Sequence, residues 1–244
     1  MSSATPTSSG AGASADDPER ELSPVADFST EERAAVYRAI YERRDVRNEF
    51  LDAAIPQEVL RRILDAAHHA PSVGLMQPWN FIVVRDRDTR AAVHAAFERA
   101  VAAEEQLMPD DRRAHYRSLK LQGILRAPVN ICVTCDRTRS GATGLGRTQQ
   151  PDTDLLSTAC AVQNLWLAAR IEGVGIGWVS ILREADLRDI LHIPPDIAIV
   201  AYLCAGFIAQ SYVRPELEVR RWAKRLPLED LLFEDFWGNK RETP

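Results

Sequence analysis

Residues 154–180 read DLLSTACAVQNLWLAARIEGVGIGWVS, and the change of rhythm at Gly173 decides the fold class. Before it, Leu155, Leu156, Ala159, Val162, Leu165, Trp166 and Ala169 leave little polar surface. That predicts a central helix over Asp154–Glu172, buried on most sides. Gly173 stops it, because glycine accepts the left-handed conformation that closes a helix. GIGWVSI then predicts a short apolar strand whose one hydroxyl is Ser180. Working outward, Ile197–Phe207 is the longest β-like run and belongs mid-sheet. Val129–Cys135 and Phe81–Val84 are further strands. A helix starts at the capping box of Ser29 and Glu32 and runs to about Arg44. Another starts at Pro56, buries Val59, Leu60, Ile63, Leu64 and Ala67, and ends before Pro71. Helices are also predicted over Thr89–Met108, over Asp110–Arg126 with Tyr116, Leu119 and Ile124 on the apolar side, and over Glu184–Leu191. Helices alternating with few strands make an α+β or α/β domain.

Composition excludes several classes. The net charge of −5 implies no broad basic surface for nucleic acid. No apolar run reaches membrane-spanning length, and no secretory signal is evident, so the expected location is cytoplasmic. Residues 1–27 are rich in Ser, Ala, Pro and Gly and read as a disordered tail, with one domain over 28–244. Cys132 and Cys135 have metal-like spacing but lie on a predicted strand, where residues three apart face opposite ways. They read as small core residues. His68 and His69 diverge on a helix, so no metal is expected. Thr138–Thr153 contains GATGLGR, whose glycine order is not the dinucleotide fingerprint, and reads as a mobile loop.

Two stretches carry chemistry. Tyr41–Phe50, YERRDVRNEF, places Arg43, Arg44 and Arg47 around Asp45 at a helix end. Arg43 and Arg44 continue the stripe of Val36 and Ile40, which is expected to be buried. Inward cations need an anion, and guanidiniums grip phosphate in a bidentate fork. The alternative is a solvated helix end whose cations suit the dipole. PSVGLMQPWNF, residues 71–81, holds Gln77 between prolines, either pre-organised for a ligand or part of a connector anchored by Trp79.

RRDVR, APSVGLMQPWNF, CAVQNLWLAAR, GVGIGWVS and KRLPLED together resemble the nitroreductase superfamily, over about Ser29 to Trp237. Within it the likeness is nearest to the subgroup of 5,6-dimethylbenzimidazole synthases, the flavin-destroying enzymes of cobalamin biosynthesis. The resemblance implies an α+β fold with a mixed central sheet flanked by helices, in a homodimer that binds FMN at its interface. It assigns the FMN phosphate and ribityl chain to Arg43, Arg44, Asp45, Arg47 and Arg225. It assigns further flavin contacts to Ser72, Gln77, Leu121, Trp178 and Ser180. Asp45 stands where ordinary nitroreductases usually have a neutral residue, and Leu75 where they usually have a flavin-bonding Asn. The two departures set the chain apart from ordinary nitroreductases, and Asp45 together with Ser180 resembles the synthase subgroup.

The implied reaction takes reduced FMN and dioxygen to 5,6-dimethylbenzimidazole and erythrose 4-phosphate, with a separate reductase supplying the reduced flavin and no metal. Asp45 is the expected base near the sugar hydroxyls, ionised with help from Arg43, Arg44 and Arg47. Ser180 is the expected hydrogen-bond donor, and Leu75, Met76 and Trp178 a dry wall. Structural roles compete: Asp45 as an ion pair that orients the arginines, and Ser180 as a strand hydroxyl bonded to backbone. The rival functions are an NAD(P)H-dependent FMN reductase or nitroreductase that recycles its flavin, and a flavin carrier without catalysis.

Overall fold

The structure, a computed structural model, describes residues 23–139, 141 and 144–240. It divides into two units, Met1–Tyr37 and Arg38–Pro244. The expected tail lies outside the described residues up to residue 22, and residues 23–27 carry no helix or strand. Helix α1, Thr30–Glu42, opens on the predicted capping box. The Ser29 amide donates to Glu32 Oε2 at 2.7 Å, and the Glu32 amide donates to Ser29 Oγ at 3.1 Å. Its expected buried stripe is corrected: Val36 and Ile40 are exposed, and Ala39 is the helix's one buried residue.

The second unit is a four-stranded sheet with helices on both faces. Its strands are β1 (Trp79–Val84), β2 (Val129–Asp136), β3 (Val174–Val179) and β4 (Ile197–Phe207), in the order β1-β2-β4-β3. All neighbours pair antiparallel, and the parallel element of the sheet is the isolated bridge between Asp45 and Ile176. Strand β4 lies mid-sheet, as its apolar run predicts.

Strand alternation sorts the core into two layers. Ile131, Val133 and Leu203 face α2 (Gln57–His68) and α5 (Thr153–Ile171), packing on Leu60, Ile63, Val162 and Leu165. Cys132, Tyr202 and Cys204 face α3 (Arg87–Leu107) and α6 (Glu184–Leu191), meeting Val93, Phe97 and Leu187. Cys132, Cys135 and Cys204 are therefore buried free thiols, and burial pushes the Cys132 thiol up to about 12. His68 is engaged with Trp79: the indole Nε1 donates to His68 Nδ1 at 3.1 Å.

One helix is shorter than its sequence suggests. Helix α4 spans Asp110–Ser118, not Asp110–Arg126. Leu119 turns extended, and the chain then passes so close to the segment after α1 that a Cβ on Gly123 would overlap the Arg47 carbonyl oxygen and the Phe50 ring. Tyr116, Leu119 and Ile124 are buried all the same. The expected mobile loop lies partly outside the described residues; its described part carries turns. Among the described residues no helix is long and apolar enough to cross a membrane.

Candidate functional site

Two glycines of GVGIGWVS create the site. A Cβ on Gly177 would overlap the Val46 carbonyl oxygen, and one on Gly175 would stand 2.8 Å from Val46 Cγ2. With neither present, the RRDVR segment lies along β3, and the Val46 amide donates to the Ile176 carbonyl at 2.9 Å. This docking turns the Asp45 side chain toward the strand's end. Its Oδ1 accepts from the Trp178 amide at 2.8 Å, and its Oδ2 pairs with Arg47 Nη2 at 2.6 Å.

The other wall comes from far along the chain. A short helix, α7 (Glu216–Val219), follows Pro215. Glu216 is 6% exposed, and its Oε2 pairs with Arg47 Nη1 at 3.1 Å. Its Oε1 accepts from Arg220 Nε at 2.6 Å and from the Tyr212 hydroxyl at 3.4 Å. Arg43, Arg44, Asp45, Arg47, Glu216 and Arg225 line one cavity of about 240 Å³.

The four guanidiniums are not equivalent. Arg44 Nη1 donates to the carbonyls of Tyr41 and Arg43, each at 2.7 Å, and Nη2 donates to that of Val213. Arg47 is held by two carboxylates. The Nε atoms of Arg44 and Arg47 are buried and have no partner among the described residues. The Arg43 guanidinium stacks 4.8 Å above Trp166. Burial pushes the Arg43 guanidinium below its ordinary range, Arg44 and Arg225 push the same way, and Asp45 opposes them. Cations crowded like this gain from an added anion. Four lining guanidiniums against two lining carboxylates leave two positive charges, which match a phosphate monoester dianion near neutral pH.

Arg47 and Arg43 favour the ionised form of Asp45, as expected, but they do not set the net direction. Burial is the largest influence and pushes its carboxyl above the usual range. Arg47, the Trp178 amide and Arg43 pull it back, and Glu216 adds to the push. Arg44 is not among these influences, and its terminal nitrogens bond carbonyls. The bent geometry also puts Arg47, not Arg43, in direct contact with the acid.

Other predicted residues lie apart from this cavity. Ser180 is exposed, one residue beyond β3 rather than inside it, and makes no side-chain hydrogen bond to a described residue. Trp178 is 37% exposed and packs at 6.3 Å from Trp166, so it borders the arginine cluster. Leu121 is half-buried against the α3–α6 core layer. Ser72 Oγ accepts from the Gln77 amide at 3.2 Å, closing its own loop. Gln77 has φ 45° and lines a second cavity of about 440 Å³ with His68, Trp79 and Arg139. Trp79, 4% exposed, anchors that connector. In the dry wall, Met76 is buried, while Leu75 is 78% exposed.

Sequence reading missed Glu216 and the two glycines. Glu216 sits in PELEV, which reads as the acidic first turn of a surface helix. The available signal was indirect: a buried arginine cluster requires more than one acid. The glycine alternation in VGIG was visible, but its meaning needs the partner segment.

A model of the nitroreductase family matches residues 40–207. A 5,6-dimethylbenzimidazole synthase of Rhodospirillum rubrum is 41% identical over 185 residues, covering 76% of this chain and 87% of that protein. A protein of the same description from Rhodobacter capsulatus is 38% identical and covers 83% of this chain and 97% of its own. Among solved structures, a putative nitroreductase from Desulfovibrio desulfuricans in complex with FMN is 27% identical. It superposes with a TM-score of 0.59 and covers 83% of this chain and 97% of that one.

Proposed function

The chain belongs to the nitroreductase family, and on that premise we propose that it is a 5,6-dimethylbenzimidazole synthase, consuming reduced FMN and dioxygen and releasing 5,6-dimethylbenzimidazole and erythrose 4-phosphate. The observation that carries this reading is the convergence of Arg43, Arg44, Asp45, Arg47 and Arg225 on one cavity. An acid at the heart of a phosphate-sized cationic site suits a reaction on the sugar next to that phosphate. The curated relatives at 38–41% identity support the same activity.

Reduced FMN, when bound, supplies the dioxygen-reactive ring and is the molecule consumed. Arg43 and Arg225 are the guanidiniums least committed to protein partners, and they hold the phosphate. The buried unpartnered Nε atoms of Arg44 and Arg47 are consistent with a polar ligand close by. Asp45, oriented by Arg47 and the Trp178 amide, accepts a proton from a ribityl hydroxyl. A carboxyl raised by burial is a stronger base than a free one, which favours that step. Ser180, with a free hydroxyl beside Trp178, donates to the ring edge. Met76, Leu75 and Trp178 exclude water, and Ser72, Gln77 and Leu121 complete the flavin contacts.

The working form in this reading is a homodimer. Leu75 and Trp178 are exposed in one chain, and a second copy would cover them. A separate reductase delivers the reduced flavin in the cytoplasm.

The test is to incubate the protein with chemically reduced FMN in air and analyse the small molecules, beside a reaction with NADH and a nitroaromatic. Loss of FMN with matching benzimidazole supports the synthase. Sustained NADH oxidation with intact FMN would establish a recycling reductase. Reoxidation to FMN without a fragment would leave a carrier.

A further inference from the structure

Glu216 plays no part in the reading above, yet its carboxylate is the most enclosed one on the cavity. It is 6% exposed, on a helix 169 residues from the arginine it meets. Its two oxygens bind different cations: Oε1 meets Arg220 at 2.6 Å, and Oε2 meets Arg47 at 3.1 Å. Arg47 in turn spends Nη1 on Glu216 and Nη2 on Asp45. The guanidinium fork that would otherwise grip a phosphate is thus filled by two protein carboxylates. A charge buried this deeply is costly unless it is paired, and both oxygens of Glu216 are.

We propose that Glu216 is a positioning residue: it holds Arg47 away from the ligand's phosphate and against Asp45, so that Arg47 orients the acid instead of binding the anion. This rests on the synthase reading for its activity arm, but not for its binding arm. Phosphate capture then falls to Arg43 and Arg225. The division has a physical logic. A ligand dianion within reach of Arg47 would compete with Asp45 for Nη2. Glu216 occupies Nη1 and adds negative charge at that end of the cavity, which weakens the competition.

The consequence is a pair of effects with opposite signs. In Glu216→Gln, one negative charge leaves the cavity and the hold on Arg47 Nη1 falls to that of a neutral amide oxygen. FMN binds more tightly, by about tenfold if the gain is that of one charge-assisted hydrogen bond. Benzimidazole formation slows, by up to about 10²-fold, as Arg47 follows the phosphate and Asp45 loses its fixed orientation. A residue needed merely for folding would lower both affinity and turnover.

The experiment measures FMN affinity by flavin fluorescence, riboflavin affinity as the phosphate-free control, single-turnover benzimidazole formation, and thermal unfolding. The proteins are wild type, Glu216→Gln and Glu216→Asp. Tighter FMN, unchanged riboflavin and slower product in Glu216→Gln bear the proposal out. Glu216→Asp keeps the charge on a shorter arm and should retain wild-type FMN affinity with part of the lost turnover. Weaker FMN binding with a lower melting temperature in Glu216→Gln would overturn it, as would tighter binding with unimpaired turnover, or no change in either. Should wild type make no benzimidazole, the reaction fails, while the affinity comparison still decides whether Glu216 restrains Arg47.

Discussion

The arginine cavity and the loop of Ser72–Gln77 both belong to sequence blocks that resemble flavin contacts, yet they are built by opposite means. The cavity is over-determined within one chain. Asp45 is fixed by a strand amide and a guanidinium, that guanidinium by a second acid, and that acid by a second arginine. The loop is fixed mainly through its backbone. Ser72 bonds the Gln77 amide, Arg139 Nη1 donates to the Gln77 carbonyl at 2.6 Å, and Leu75 and Gln77 hold positive φ at 51° and 45°. Positive φ in residues with side chains stores strain that the surrounding structure must support. Two of the loop's side chains face outward from it: Leu75 is exposed and Gln77 lines a separate cavity. The contrast teaches that one chain completes the arginine cavity but leaves the loop open, and in our reading ligand and a second copy close it.

The contrast can be broken most forcefully at Asp45. Asp45→Asn should lower benzimidazole formation by about 10²–10⁴-fold, the usual loss for a positioned base, while FMN still binds. Near-wild-type turnover would reduce Asp45 to a brace for Arg47. Next in size is Arg225→Ala, which should weaken FMN binding by about 10- to 100-fold, as expected for a lost charge-assisted contact, and leave riboflavin binding alone. Equal losses for the two flavins would move the phosphate elsewhere.

Gly177→Ala probes the docking beneath the cavity. The added methyl has no room against the Val46 carbonyl, so we expect a destabilisation of about 1–3 kcal/mol in denaturant melts, with FMN affinity falling alongside. A variant as stable as wild type would mean that the Asp45 segment is not seated on β3 as described. The mildest effect is one of pH. Burial raises the Asp45 carboxyl, so its base form is lost as pH falls through a value above the ordinary aspartate range. The acid limb of single-turnover product formation should therefore lie above that range. A limb within the ordinary range would argue that solvent or Arg47 dominates the acid.

What the sequence made legible follows the same division. Periodicity alone located Glu184–Leu191 and Ile197–Phe207 to the residue, because Pro194 and Pro195 separate the two and each packs as its pattern requires. The helix expected to Arg126 was lost because apolar spacing persists past Ser118, while the backbone there is bent to let Gly123 approach Arg47 and Phe50. Local pattern cannot register such a long-range approach. Val36 and Ile40 fit a helical stripe but are exposed, since periodicity shows that a face is apolar, not what covers it. At the site, the arginines and Asp45 were visible as residue types in one short block, and Arg225 through family resemblance. The pull of Arg43 and Arg47 on Asp45 was legible, but counting neighbouring arginines omits desolvation, and Glu216 was missed because pairing across 169 residues leaves no local mark.

The most direct test of the whole account is a count of products. Wild-type protein is mixed with a known amount of reduced FMN in air, and FMN, 5,6-dimethylbenzimidazole and erythrose 4-phosphate are quantified at completion. The account predicts that each FMN lost is matched by benzimidazole and sugar phosphate in equal amounts. Full recovery of oxidised FMN, with neither fragment present, would contradict it.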